Sequence, residues 1–184
     1  MTGHMAVPAA IPCREGRTFM ITAALALVLS QAATPPEPPR CEGDDHEAFD
    51  FWVGEWDVFA NGDDQKVGDS RIEKVSAGCA IRETWMPVQG RPGTSISTFD
   101  PQTSGWHQLW VGGTPGRVFF DGGPIDGAMV LSGYWGKDGK GNPTLVRMTY
   151  TLEEDGSVRQ YGQASTDHGL SWNDSFDLIY RRKE

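Results

Sequence analysis

The side chains best suited to hold a ligand fall on three stretches with the two-residue period of a β-strand. Along 105–111, Trp106, Gln108 and Trp110 share one face, and His107, Leu109 and Val111 the other. Cys79, Ile81, Glu83 and Trp85 share a face on an earlier stretch, and on a later one Met129, Leu131 and Trp135 do so with small Gly133 between them. Aromatic walls with a few isolated polar groups are what a small-molecule site requires, the rings supplying contact area and the amide or carboxyl fixing orientation. Glu83, Trp85, Trp106, Gln108, Trp110 and Trp135 are therefore the candidate ligand-binding residues, with Gln108 and Glu83 as the orienting groups. The same pattern also describes a packed core, because small barrels often fill their interiors with side chains.

Bond-breaking chemistry has less support. No Gly-x-Ser-x-Gly elbow is present, and Lys140, within Gly139-Lys140-Gly141-Asn142, lacks the Lys-Ser/Thr pair of a phosphate loop. His46, His107 and His168 match no compact zinc-ligand spacing, so neither a catalytic residue, a metal nor a cofactor is predicted. If the protein is instead a barrel enzyme, a hydrolase or isomerase, then Glu83, His107 and Arg147 are its candidates. A third reading is a structural envelope protein whose exposed Trp side chains meet a partner.

The elements that must position these residues are short runs rich in β-branched and aromatic residues, separated by Gly, Asp, Asn and Pro clusters. Ten strands are predicted, near 55–60, 69–76, 79–86, 94–99, 105–112, 116–121, 127–135, 144–153, 157–165 and 174–181. A short helical turn with acids at its start precedes them within 44–52 and ends before Gly54. Turns such as Glu154-Asp155-Gly156 pair neighbouring strands as antiparallel hairpins. An all-β, up-and-down chain of about ten strands hides its two edges by closing into a barrel.

Before that domain, the apolar run 20–29 is too short to span a bilayer. It follows Arg14 and Arg17 and precedes Ser30, Ala32 and Ala33, the layout of a cleaved signal peptide over 1–33. The alternative is an uncleaved membrane anchor. The Pro-rich stretch 34–43 reads as a linker, and 44–184 as the barrel domain, which is expected in the periplasm or secreted with no transmembrane anchor after cleavage. Loss of Arg14, Glu15 and Arg17 takes the formal charge from −9 to −10, so nucleic acid and anionic lipid are poor partners. A small-molecule ligand is the expected partner, with the chain as a monomer or homodimer.

Cys13 leaves with the leader, and Cys41 and Cys79 remain as an even pair in an oxidising compartment. A Cys41–Cys79 disulfide is predicted, closing a loop of about 39 residues and worth on the order of 3–4 kcal/mol. The other reading is two buried free thiols.

Gly54-Glu55-Trp56 and the terminal Arg181-Arg182 occupy the places at which lipocalins and the wider calycin barrels carry an opening Gly-x-Trp and a closing basic residue packed over that Trp. With FDFWVGEWDV at 49–58, Gly78-Cys79, Glu83-Thr84-Trp85, Phe99-Asp100-Pro101, Trp106 to Val111 and Tyr180-Arg181-Arg182, the chain resembles secreted bacterial proteins close to domain of unknown function 1579. The resemblance implies a lipocalin-like barrel with Trp56 plugging one end, and brings no catalytic residues with it. Related barrels can hold haem through one histidine, which would make His107 or His168 an axial ligand. Separately, Ser165 to Trp172 matches the Asp-box hairpin of sialidase propellers. A propeller would repeat it, so the single copy is read as a structural turn.

Overall fold

Alternating burial along most strands follows the two-residue period, and it sorts the chain into an inner, largely apolar wall and an outer wall that carries the charged side chains. The computed structural model describes residues 40–184. The expected signal peptide, its cleavage site and most of the linker lie outside the described residues.

A four-residue helix, Asp44–Glu47 (α1), and a 3-10 turn, Asp50–Trp52, lead into ten strands. These are Gly54–Ala60 (β1), Lys66–Val75 (β2), Ala80–Pro87 (β3), Gly93–Asp100 (β4) and Gly105–Val111 (β5), then Val118–Ile125 (β6), Ala128–Lys137 (β7), Pro143–Leu152 (β8), Val158–Ser165 (β9) and Asn173–Arg182 (β10). Each strand pairs antiparallel with the next, and β10 returns to β1, so the sheet is a closed barrel without a free edge.

The main departure from the predicted boundaries is β6, which continues past Asp121 through Gly122-Gly123-Pro124 to Ile125. Gly-Gly-Pro reads as a turn in sequence, yet a Cβ at Gly122 would run into the backbone of Val130, so glycine is what lets β6 and β7 approach there. The true turn is Asp126-Gly127, both with positive φ (50° and 82°), as a two-residue hairpin connection requires.

One end of the barrel is filled by the entry segment. Phe49 and Trp52 stack with centroids 4.9 Å apart, and each meets Tyr150 at about 5 Å. The Trp56 indole N–H donates to the Trp52 carbonyl at 2.9 Å. The plug thus comprises Phe49 and Trp52 as well as Trp56, all fully buried. Arg182, paired with Trp56 across β1 and β10, lays its guanidinium 4.5 Å from the Trp56 ring, whereas Arg181 covers Phe59. Cys41 and Cys79 are bonded, with Cα atoms 4.9 Å apart, which pins the entry segment beside the start of β3.

The outer wall carries charge pairs such as Arg159–Asp177 and Arg82–Glu73. Exposed apolar side chains, among them Ile96, Val111, Phe119 and Tyr134, lie between such pairs.

Candidate functional site

The lumen has two halves. Near the plug, Val58, Ile72, Ile81, Met129, Leu131 and Val158 pack to almost zero exposure against the aromatic cluster. Toward the opposite end, residues on seven strands surround a cavity of about 170 Å³.

What keeps this half open is a set of glycines on the inner wall. A Cβ at Gly68 would come within 2.6 Å of the Trp85 ring, one at Gly93 would strike Trp110, and one at Gly162 would strike Phe176. Each large ring therefore lies against a bare stretch of backbone on a neighbouring strand instead of standing across the lumen. Trp110 and Trp135 sit 6.3 Å apart, and Trp135 meets Phe120 edge-on at 6.1 Å.

The floor of the cavity is polar. Glu83, on β3 and only 6% exposed, accepts one hydrogen bond from Ser70 Oγ and one from Ser95 Oγ, both at 3.1 Å. Among the described residues it has no cationic partner. Gln108 Nε2 donates to Ser97 Oγ at 3.0 Å. Tyr180 donates to Gln160 Oε1 at 2.6 Å, and Gln160 Nε2 donates to Tyr150 Oη at 2.9 Å. Burial pushes the Glu83 carboxyl up to about 7, against the opposing pull of the two serine hydroxyls. Burial also holds the Tyr150 and Tyr180 hydroxyls well above their ordinary range, with the Glu83 charge adding to it.

Five of the six residues proposed from sequence, Glu83, Trp85, Gln108, Trp110 and Trp135, line this cavity together. Trp106 shares their inward direction but lies one layer deeper. Its ring meets Phe49 and Phe99, and its indole N–H donates to the Asp45 carbonyl at 3.1 Å, so it belongs to the plug. The cavity also uses Phe120, Met148, Tyr150, Gln160, Phe176, Leu178 and Tyr180, which the sequence reading left out. The signal was present in the period: 148 and 150 on β8, and 176, 178 and 180 on β10, each alternate inward.

His107 and Arg147 do not face the cavity. His107 is held between Asp121 (2.6 Å) and Thr103 (2.9 Å), and Arg147 donates to Gln163 at 2.6 Å beneath the Trp172 ring. His168 meets the Tyr134 hydroxyl at 2.9 Å, so neither histidine stands where an axial haem ligand would need to be. Among the described residues no group of three or more His, Cys, Asp or Glu side chains could hold a metal ion.

The Asp-box stretch is a turn. Asp167 accepts from the Ser171 amide (2.9 Å), the Ser171 hydroxyl (2.6 Å) and the Ser165 hydroxyl (2.7 Å), which hold its carboxyl down at about 2. Its oxygens are committed to the β9–β10 connection.

The chain matches no family model, and no curated protein matches it. The closed ten-strand barrel agrees with the lipocalin-like part of the resemblance, while the narrower likeness to domain of unknown function 1579 has no match behind it.

Proposed function

We propose that the protein is an exported barrel that binds a small, partly apolar molecule in the open half of its lumen without changing it. The observation that carries this reading is Glu83: a carboxyl buried without a cation is costly, and it faces an aromatic-walled cavity in place of a packed core. Natural chains keep such costs mainly where a site needs them. An engineered apolar cavity of about 150 Å³ admits a single benzene ring, so the chamber suits one ring or a short chain. The Cys41–Cys79 bond supports an oxidising compartment.

The test is methionine-methyl NMR with p-cresol, a ring that carries one hydrogen-bond donor. Met148 lines the chamber, Met129 lies in the packed half and Met86 is exposed on the outside. A saturable shift of the Met148 methyl, with Met129 and Met86 unmoved, is the expected result. No shift at millimolar ligand, or a shift of Met86 alone, would refute the reading.

A second reading, acid–base catalysis by Glu83, draws on the same carboxyl, whose elevated pKa suits proton transfer near neutrality. It is the weaker one, because neither His107 nor Arg147 reaches the chamber to assist.

A further inference from the structure

Beside the chamber, between the β3–β4 and β5–β6 connections, lies a groove of about 620 Å³, and Trp110 and Trp135 line both spaces. Arg91 and Arg117 line the groove and none of its lining residues is acidic. That is unusual for a chain with 25 acidic against 16 basic residues.

Many of the other cations are paired with acids, although Arg147 and Arg182 likewise meet an amide or carbonyl oxygen and an indole ring. Lys66, Lys74, Arg82, Arg159 and Lys183 each pair with a carboxylate. Arg91 instead spends one N–H on the Gly113 carbonyl at 2.9 Å, and Arg117 stacks 5.1 Å from the Phe119 ring centroid. Among the described residues neither has a carboxylate partner. Gly113 is part of the arrangement: a Cβ there would collide with Arg91, so glycine lets that side chain cross from one mouth loop to the other.

We propose that this groove is the subsite for an acid group on the ligand: the bound molecule places a ring-sized apolar body in the chamber and a single carboxylate at the mouth, held by Arg91 and Arg117. The proposal rests on the chamber being a ligand site. Arginine's planar fork suits carboxylate recognition, and each of these guanidinia retains N–H donors directed to no acid among the described residues. Because the protein as a whole is acidic, its net field opposes an anionic ligand, and any preference for the acid must come from this local pair.

The experiment is calorimetric titration with 3-phenylpropionate, 3-phenylpropanol and 3-phenylpropylamine, which share a ring and chain and differ in the end group. At low ionic strength the acid binds about fivefold or more tighter than the alcohol, a modest advantage consistent with solvent-accessible charge pairs. Concentrated salt removes most of that advantage in the wild-type protein. The Arg91→Gln, Arg117→Gln double variant, altered only in exposed loops, binds acid and alcohol alike. Equal binding of acid and alcohol to the wild type, tightest binding of the amine, or an acid preference that survives both salt and the double variant overturns the subsite while leaving the chamber as a binding site. Failure of all three compounds to bind overturns both.

Discussion

Replacing Glu83 by Gln should stabilise the barrel at alkaline pH and change it little at acid pH. In the unfolded chain the carboxyl titrates near its ordinary 4.5, whereas burial raises it to about 7 in the barrel. Below pH 4.5 both states hold the proton. As pH rises from there, the unfolded chain releases it and the folded one retains it, so folding stability falls. Above about 7 the barrel carries a buried charge, and the loss levels off. At 1.36 kcal/mol for each tenfold difference in proton affinity, the separation is worth about 3 kcal/mol. Gln keeps the shape, with its oxygen able to accept from one of Ser70 and Ser95 and its amide to donate to the other. Urea unfolding of both proteins at pH 4 and pH 8.5, followed by Trp fluorescence, gives the difference at each pH and cancels the titrating groups that do not interact with Glu83. The variant's advantage should grow by about 3 kcal/mol between the two, or roughly 6–12 °C in melting temperature for a domain of this size. An advantage independent of pH, or one that shrinks as pH rises, would refute the account of Glu83.

Other changes probe the parts that shape the chamber. Removing both Cys41 and Cys79 as serines should cost about 4 kcal/mol of stability, read in non-reducing urea unfolding, and intact mass should rise by about two hydrogens when the native protein is reduced. Gly162→Ala puts a Cβ into the Phe176 ring, which must lift off the wall, so stability should fall by about 1–3 kcal/mol and p-cresol should bind more weakly in the methyl titration. Arg182→Ala uncovers Trp56 and should cost about 0.5–1 kcal/mol, measured as a lower urea midpoint. Because the Asp167 carboxyl is held at about 2 by the turn, its contribution is present above the ordinary Asp value of 3.8 and lost as pH falls toward 2. Asp167→Ala should abolish that acid-dependent part of the unfolding curve.

Strand number and antiparallel closure were legible because turn residues and alternating side chains are local features. The plug was only half legible. Gly54-Glu55-Trp56 marks Trp56, but Phe49 and Trp52 reach the lumen because the entry segment folds beneath the barrel, a tertiary event with no periodic signature. Trp106 was assigned to the site for a related reason: the two-residue period gives its direction, while its depth depends on how far the plug rises toward it. Gln160 and Tyr180 were not legible as site residues because what joins them is not local: their hydrogen bond links adjacent strands twenty positions apart in sequence. His107 and Arg147 read as reactive only while their faces were unassigned. Once Trp106, Gln108 and Trp110 point inward, the odd-numbered partners on β5 must point out.

Whether the open half of the barrel holds a ligand is decided by native mass spectrometry of the protein purified gently from its own host, followed by organic extraction. The expected result is a reproducible added mass of one small molecule per chain that extraction releases as a compound with an apolar body and an acid group. Repeated preparations carrying no added mass, and yielding nothing on extraction, would contradict it.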